Sequence, residues 1–345
     1  MKGWMSVGLR IFGAVAMLWT GTVRANPVGE QVVGGTATFE RVGNSLTINQ
    51  GSDRAAINWN SFSIGAGEVT KFVQPSASSI ALNRVIMANP SSIYGSLQSN
   101  GQIILANPSG IFVGPGGSVC TGGFFGSTRD MDPEMFMKGG DLRFLGDSAA
   151  PILNQGKIEA TTGDVFLIAE HVQNEGQIMA RDGTVGLVSG TQVSLQSTGP
   201  NHFKVRLLDV PEDSKAKKDK NGTADIVNEG VIDAANALLE ATGNLGSLAI
   251  NNTGLIRATG FQENADGSVT LTGGEGDVVN QGVLTALQKS IQGGEQGGSI
   301  AIRGKNVSAE KGSLISASGK DGGGKVKIEA KDATMLAGRI EAIGY

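Results

Sequence analysis

"NQGKIEA" (Asn154–Ala160), "NEGQIMA" (Asn174–Ala180), "NEGVIDA" (Asn228–Ala234), "NTGLIRATG" (Asn252–Gly260) and "NQGVLTA" (Asn280–Ala286) are variants of one phrase, Asn-x-Gly-x-Ile/Leu. Worn copies follow as "KGSLISASG" from Lys311 and "AGRIEA" from Ala337. Between them recurs a glycine followed by apolar residues, as in "GDVFLIA" (Gly163), "GTVGLVSG" (Gly183), "GSVTLTG" (Gly267) and "GSIAIRG" (Gly298). Successive asparagines are separated by 20 (174 − 154), 24 (252 − 228) and 28 (280 − 252) residues. Each unit holds two or three short alternating strands with Asn-Gly or Gly-Gly turns, and no helical stripe of period 3.6. A unit of this size cannot bury its own apolar face, but stacking the units in parallel does.

The fold expected is therefore all-β, a right-handed parallel β-helix with an N-terminal β cap. Ile158, Ile178, Ile232, Ile256 and Leu284 should line one inward wall. A leucine-rich horseshoe has a similar period, but its L-x-x-L-x-L skeleton and its convex helix have no counterpart here. At about 4.8 Å between stacked strands the rod should be roughly 50 to 75 Å long. Residues 1–25 read as a secretory signal, with Lys2 and Arg10 near the start, the apolar run "IFGAVAMLW" (Ile11–Trp19) and "VRA" ending at Ala25. Residues 26–150 read as the cap and first coils, and 151–345 as the repetitive shaft. A charged excursion at about 208–223 contains "PEDSKAKKDKNG" (Pro211–Gly222).

Composition supports an elongated β fold. Of 345 residues 53 are Gly and 9 Pro, charged residues are 17%, and the net charge is −4. Low charge with moderate apolar content argues against disorder, and abundant Gly without collagen periodicity argues for many tight turns. An acidic pI near 5.4 gives no reason to expect nucleic acid as a partner. Cys120 is the single cysteine, so no intramolecular disulfide is possible and the chain can be threaded through a narrow pore. Its side chain is expected to be a small buried apolar group.

Two Asn-Pro turns interrupt the N-terminal strands. Asn89-Pro90-Ser91-Ser92 and Asn107-Pro108-Ser109-Gly110 lie 18 residues apart (107 − 89), each followed by Ile, the second at Ile111. The latter fits a type I turn, with Asn first, Pro fixing φ at the second position and Gly last.

"INWNSFSIGAGEVTKFVQPSASSIALNRV" (Ile57–Val85), "NPSSIYGSLQSNGQIILANPSGIFVG" (Asn89–Gly114) and "GGFFGSTRDM" (Gly122–Met131) together resemble the secretion domain of two-partner secretion exoproteins of the filamentous-haemagglutinin type. The resemblance covers about a hundred residues, and the repeats that follow match the family's β-helical shaft. It implies inner-membrane export, then recognition by the periplasmic domains of a cognate outer-membrane transporter barrel, and release to the cell surface or medium of a Gram-negative bacterium. It also implies adhesion as the output, directed at a host or neighbouring-cell receptor or glycan. The family's two Asn-Pro signatures fall on Asn89-Pro90 and on Asn107-Pro108-Ser109-Gly110-Ile111, expected to serve exporter recognition or to shape the cap. Ser109 stands where the family usually has a second Asn.

The rival class is a β-helical polysaccharide-active enzyme, secreted or periplasmic. Such chemistry needs convergent carboxylates, often with a cation. Asp164, Asp182, Glu229 and Asp277 are scattered at turn positions and read as solvated groups, without a recurring pair. His171 and His202 have no cysteine or carboxylate pattern around them, and "GGEGD" at Gly273 is not repeated in tandem as a calcium nonapeptide would be. No catalytic residues, metal or cofactor are expected.

Overall fold

A computed structural model describes residues 26–208, 224–243, 247–261 and 267–345. The signal-peptide reading (1–25) and all but the first residue of the charged excursion lie outside these. The chain winds into a parallel β-helix with three walls. The second wall shows the logic best. Strands Ser45–Gln50, Val69–Val73, Ser96–Ser99, Ser118–Thr121, Lys157–Ala160, Gln177–Ser189 and Val231–Ala241 stack in parallel and in order, followed by Leu255–Phe261, Val283–Lys289, Leu314–Ser316 and Arg339–Glu341. Ten steps of about 4.8 Å make this wall about 48 Å long, just below the expected range. The excursions after Ser127 and after Ser189 consume chain without adding coils.

Ile158, Ile178, Ile232, Ile256 and Leu284 are successive partners in this wall, and each is fully buried. The asparagine preceding each one explains the rest of the phrase. Asn154 donates through Nδ2 to Asn174 Oδ1 (2.8 Å), Asn174 to Asn228 (2.8 Å), Asn228 to Asn252 (2.8 Å) and Asn252 to Asn280 (2.7 Å). These amides are buried, so each must find its partner in the neighbouring coil. The glycine two residues on lies where coils nearly touch: a Cβ on Gly230 would sit 2.1 Å from the Gly176 carbonyl oxygen. Only glycine allows that approach.

The N-terminal edge is covered as a solenoid requires. Ala37–Val42 turns back antiparallel on Ser45–Gln50, and Gln31–Gly34 runs antiparallel to Arg54–Trp59. Phe39, Trp59 and Phe62 stack edge to face at 5.7 and 5.6 Å and plug this end of the core. Asn26, the first described residue, is buried, its N–H donating to Glu68 Oε2 (2.8 Å) and its Oδ1 accepting from Thr70 (2.9 Å).

One layer lies outside the sequence reading. Leu142–Leu145, Gln192–Ser197 and Phe203–Leu207 form an antiparallel sheet of their own, and Pro133–Lys138 is a short α-helix capped by Asp132. Leu142, Phe144, Val193, Leu195 and Val205 of this side sheet pack on Ile104, Phe125, Phe166, Ile168 and Val188, which point out of the third wall. Strands Gln102–Ala106, Gly123–Ser127 and Val165–Ala169 are consequently buried on both faces. Cys120 faces outward on the second wall and is half-buried, against the expectation of full burial, because its neighbour Val119 takes the inward position. Desolvation, then Glu159, pushes its thiol pKa up, which disfavours the nucleophilic thiolate.

Replacing Asn228 by Ala removes two rungs, orphaning the Asn174 donor and the Asn252 acceptor. At about 1 to 3 kcal/mol for each buried unsatisfied group, about 2 to 6 kcal/mol of stability should be lost. Asn280→Ala orphans only one neighbouring group and should cost less. Denaturant midpoints of the two variants against the parent check the order.

Candidate functional site: the Asn-Pro corner

The third wall passes to the first at a corner that the chain turns once per coil. Ile80–Val85 stacks on Gln102–Ala106, and Ser91–Ile93 stacks on Ile111–Val113, so the two Asn-Pro turns lie one above the other. The sequence places them 18 residues apart, and the structure brings them into contact. Asn107 is fully buried, with Nδ2 donating to the Asn89 carbonyl (3.0 Å) and to Ser91 Oγ (2.9 Å). Its Oδ1 accepts from the Ser109 N–H (2.9 Å), and its carbonyl accepts from the Gly110 N–H (3.0 Å), closing the expected four-residue turn. Asn89 in turn donates through Nδ2 to the Asn60 carbonyl (3.0 Å). Gly110 has φ +107°, a conformation that disfavours side chains.

Pro108 is exposed, while Pro90 and Ser109 are half-buried and Ile111 is buried in the core. The corner thus presents its prolines and hides its asparagine. From the other side it is held by the returning segment of the next coil. Ser148 Oγ donates to the Pro108 carbonyl (2.6 Å), and the Ile111 N–H donates to the Pro151 carbonyl (3.2 Å). Arg129, fully buried, anchors that segment by donating through Nε to the Gly190 carbonyl (2.7 Å) and through Nη1 to the Ser148 carbonyl. Burial lowers its pKa, with Glu170 and Asp147 opposing.

Arg84 and Asp130 tie the side sheet to the same region. The guanidinium grips the carboxylate with two N–H groups, one at 2.8 Å, and this contact raises the arginine's pKa. A groove of about 570 Å³ opens beside this pair, bordered by Met135, Phe136, Asp141, Arg143 and Leu145.

Two sequence readings need correction. Asp164 is not a solvated turn carboxylate: it is fully buried and accepts from the Thr184 N–H (2.8 Å), the Phe203 N–H (2.6 Å) and His202 Nδ1 (3.2 Å). His202 therefore does have a carboxylate partner, 38 residues away in sequence. The pair pins the last side-sheet strand to a coil corner. Among the described residues no three His, Cys, Asp or Glu side chains come together as a metal site, and no helix is long and apolar enough to cross a membrane. Asp182 and Glu229 are exposed. Asp277, half-buried, holds the turn at Asn306 through its N–H (3.2 Å) and Nδ2 (2.8 Å).

A family model described as TPS secretion domain matches residues 24–286. The chain is 34% identical over 231 residues to a heme/hemopexin-binding protein of Haemophilus influenzae strain Rd, covering 64% of this chain and 24% of that protein. It is 41% identical over 107 residues to a second Haemophilus influenzae protein of that name, covering 31% of this chain and 12% of the other. The chain thus matches a quarter or less of these relatives' length. Among solved structures it resembles the HMW1 secretion domain from Haemophilus influenzae, with TM-score 0.77, 29% identity and coverage of 92% of this chain and 84% of that one. The filamentous hemagglutinin secretion domain shares the fold at TM-score 0.54 and 14% identity, over 92% of this chain and 100% of the other.

The Asp164 contact raises the His202 pKa, desolvation opposing. A raised value means the protonated ring contributes stability fully below the unfolded imidazole pKa, about 6.5, and loses it as pH rises through the folded value. The stability difference between the parent and His202→Gln should be positive at pH 5 and shrink by pH 9. Denaturation midpoints across that range measure it.

Proposed function

Because the chain belongs to the two-partner secretion exoproteins, which are exported across the Gram-negative envelope to the cell surface or medium through a dedicated outer-membrane transporter, we propose that its transporter reads the stacked Asn-Pro corner. The observation that carries this is the division of labour within the corner. Asn107 spends its whole side-chain amide on Asn89, Ser91 and Ser109, leaving the exposed Pro108 and the half-buried Pro90 on a fixed surface. Asn89, Asn107 and Gly110 set the shape, Ile111 anchors it in the core, and Pro90, Pro108 and Ser109 are the contact surface. Ser109 enters the turn through its backbone N–H, which any residue but proline supplies, so its departure from the family's Asn leaves the turn's closure intact.

Adhesion to a host or neighbouring-cell receptor or glycan is the output we assign to the exported chain, without enzymatic activity. A role toward heme or hemopexin, the partner in the names of the curated relatives, is a second output that the 34% identity over 231 residues favours. Binding of the purified chain to host cells against binding to immobilised hemopexin separates the two.

Expression in a Gram-negative host with and without the cognate barrel tests the export reading. Pro108→Ala should leave folding intact and lower the secreted fraction several-fold. Asn107→Ala should lower secretion and also cost about 2 to 4 kcal/mol, since it orphans buried partners. Export without any barrel, or full export of Pro108→Ala, would refute recognition at this corner.

A further inference from the structure

The side sheet has an edge whose backbone groups are not all used. Leu142–Leu145 is its outer strand, paired on one side with Gln192–Ser197. On its other side a single bridge closes it: the Leu145 N–H donates to the Asp130 carbonyl (2.9 Å) and the Asp130 N–H to the Leu145 carbonyl (3.0 Å). Backbone groups of alternate residues in a strand point the same way. Leu145 pointing at Asp130 therefore aims the N–H and C=O of Arg143 at that edge too. The opposite side agrees: the Leu208 N–H donates to the Gln192 carbonyl, so Gln192, the neighbour of Leu145, and by alternation Ser194, the neighbour of Arg143, bond toward the strand Phe203–Leu207. What lies beyond the Arg143 edge is the groove of about 570 Å³, floored by Met131 and Phe136 and flanked by the exposed side chains of Met135 and Leu145.

We propose that this groove is a docking slot for one extended strand from the periplasmic domains of the transporter, added to the side sheet at Arg143. The proposal rests on the export reading above. A donor and an acceptor two residues along from an existing antiparallel bridge are spaced for a strand. Side-chain rows specify which strand. Across the outer face run the rows Arg143–Ser194–Arg206 and Asp141–Gln196–Lys204, the first following the sheet register and the second marked by Gln196 Nε2 donating to Asp141 (3.3 Å). Arg143 and Arg206 have no acidic partner among the described residues, and Ser194 between them is 2% exposed. The next strand outward meets Arg143 in one row and Asp141 in the other. Its own side chains are then acidic and basic two positions apart, with an apolar residue between them turned inward onto Phe136 and Met131. An acidic–apolar–basic edge strand is the partner that fits.

Location supports the assignment. Only two residues separate Leu145 from Ser148, whose hydroxyl is bonded to Pro108, so slot and Asn-Pro corner form one continuous surface held together by Arg129.

The test uses the mature chain and the purified periplasmic domains of its transporter. Arg143→Glu, at an exposed position, should weaken binding at least tenfold, and reversing the facing acidic residue on the transporter to Lys should restore it. Hydrogen exchange at the Arg143 amide should slow in the complex. Unchanged affinity of Arg143→Glu together with unchanged exchange over 142–145 would overturn the slot. If barrel-dependent secretion still fails for Pro108→Ala in that case, the corner reading survives without it; if secretion needs no barrel, the export reading itself has failed.

Discussion

The described coils stack by contact of backbone with backbone, and from Asn154 to Asn280 a buried asparagine ladder fixes where that contact occurs. A β-helix wall resists a one-residue slip, which would turn its aliphatic face outward, but distinguishes poorly between registers two residues apart, where one aliphatic residue replaces another. An amide buried among them does not slip, since moving one coil by two residues strands a donor and an acceptor in the core. The ladder from Asn154 to Asn280 therefore sets the register of five coils, and the adjoining glycines let those coils close to hydrogen-bonding distance. Stability in such a stack is a sum of neighbour terms, so each rung matters to its own neighbours first.

Above the ladder, toward the N-terminus, the same requirement is met differently. Val113 occupies the position before Asn154, and the earlier coils are joined by other buried amides, among them Gln74, which donates to Gln50 and to the Gln102 carbonyl, and Asn107, one corner away. Its partners are a backbone carbonyl and a hydroxyl rather than another asparagine, so the corner joins two particular coils instead of repeating. The chain then leaves the helix after Ser127, builds the helix and one side-sheet strand, and returns through Ser148 to the turn it had just made. A shape that repetition would have erased is preserved at this point. This gives the exposed Pro108 and the half-buried Pro90 a surrounding surface unlike that of the later described coils.

The shaft was legible because its physics is local and repeated. Asn-x-Gly-x-Ile names a rung, a close approach and a core residue within five positions, and the inward wall followed from it residue by residue. The Asn-Pro turns were legible as turns, but their contact was not, since stacking depends on a coil length that only the fold supplies. The side sheet went unread although a signal existed. "IILA" (Ile103–Ala106) and "VFLIA" (Val165–Ala169) are continuous apolar runs, the mark of strands buried on both faces, whereas the neighbouring "KIEA" alternates. Asp-Pro-Glu at 132–134 was likewise a helix start, with a capping carboxylate before proline. Asp164 and His202 gave no such notice, because their pairing exists only after the side sheet folds back on the third wall.

Edges are the recurring problem of this architecture, and the chain treats them unequally. The N-terminal edge is sealed by antiparallel strands and an aromatic plug, and the outward apolar face of the third wall is sealed by the side sheet. That second seal introduces a new edge at Leu142–Leu145. The fold satisfies it at Leu145 and leaves it open at Arg143, beside a helix too short to cover it. An exposed edge invites pairing, and natural sheets blunt theirs with charge. Arg143 supplies that charge, but as a cation two positions from the acidic Asp141, so the edge favours a strand that sets an acidic residue against the first and a basic one against the second. Protection against indiscriminate pairing and selection of one partner are here the same electrostatic property, set by the register of three strands.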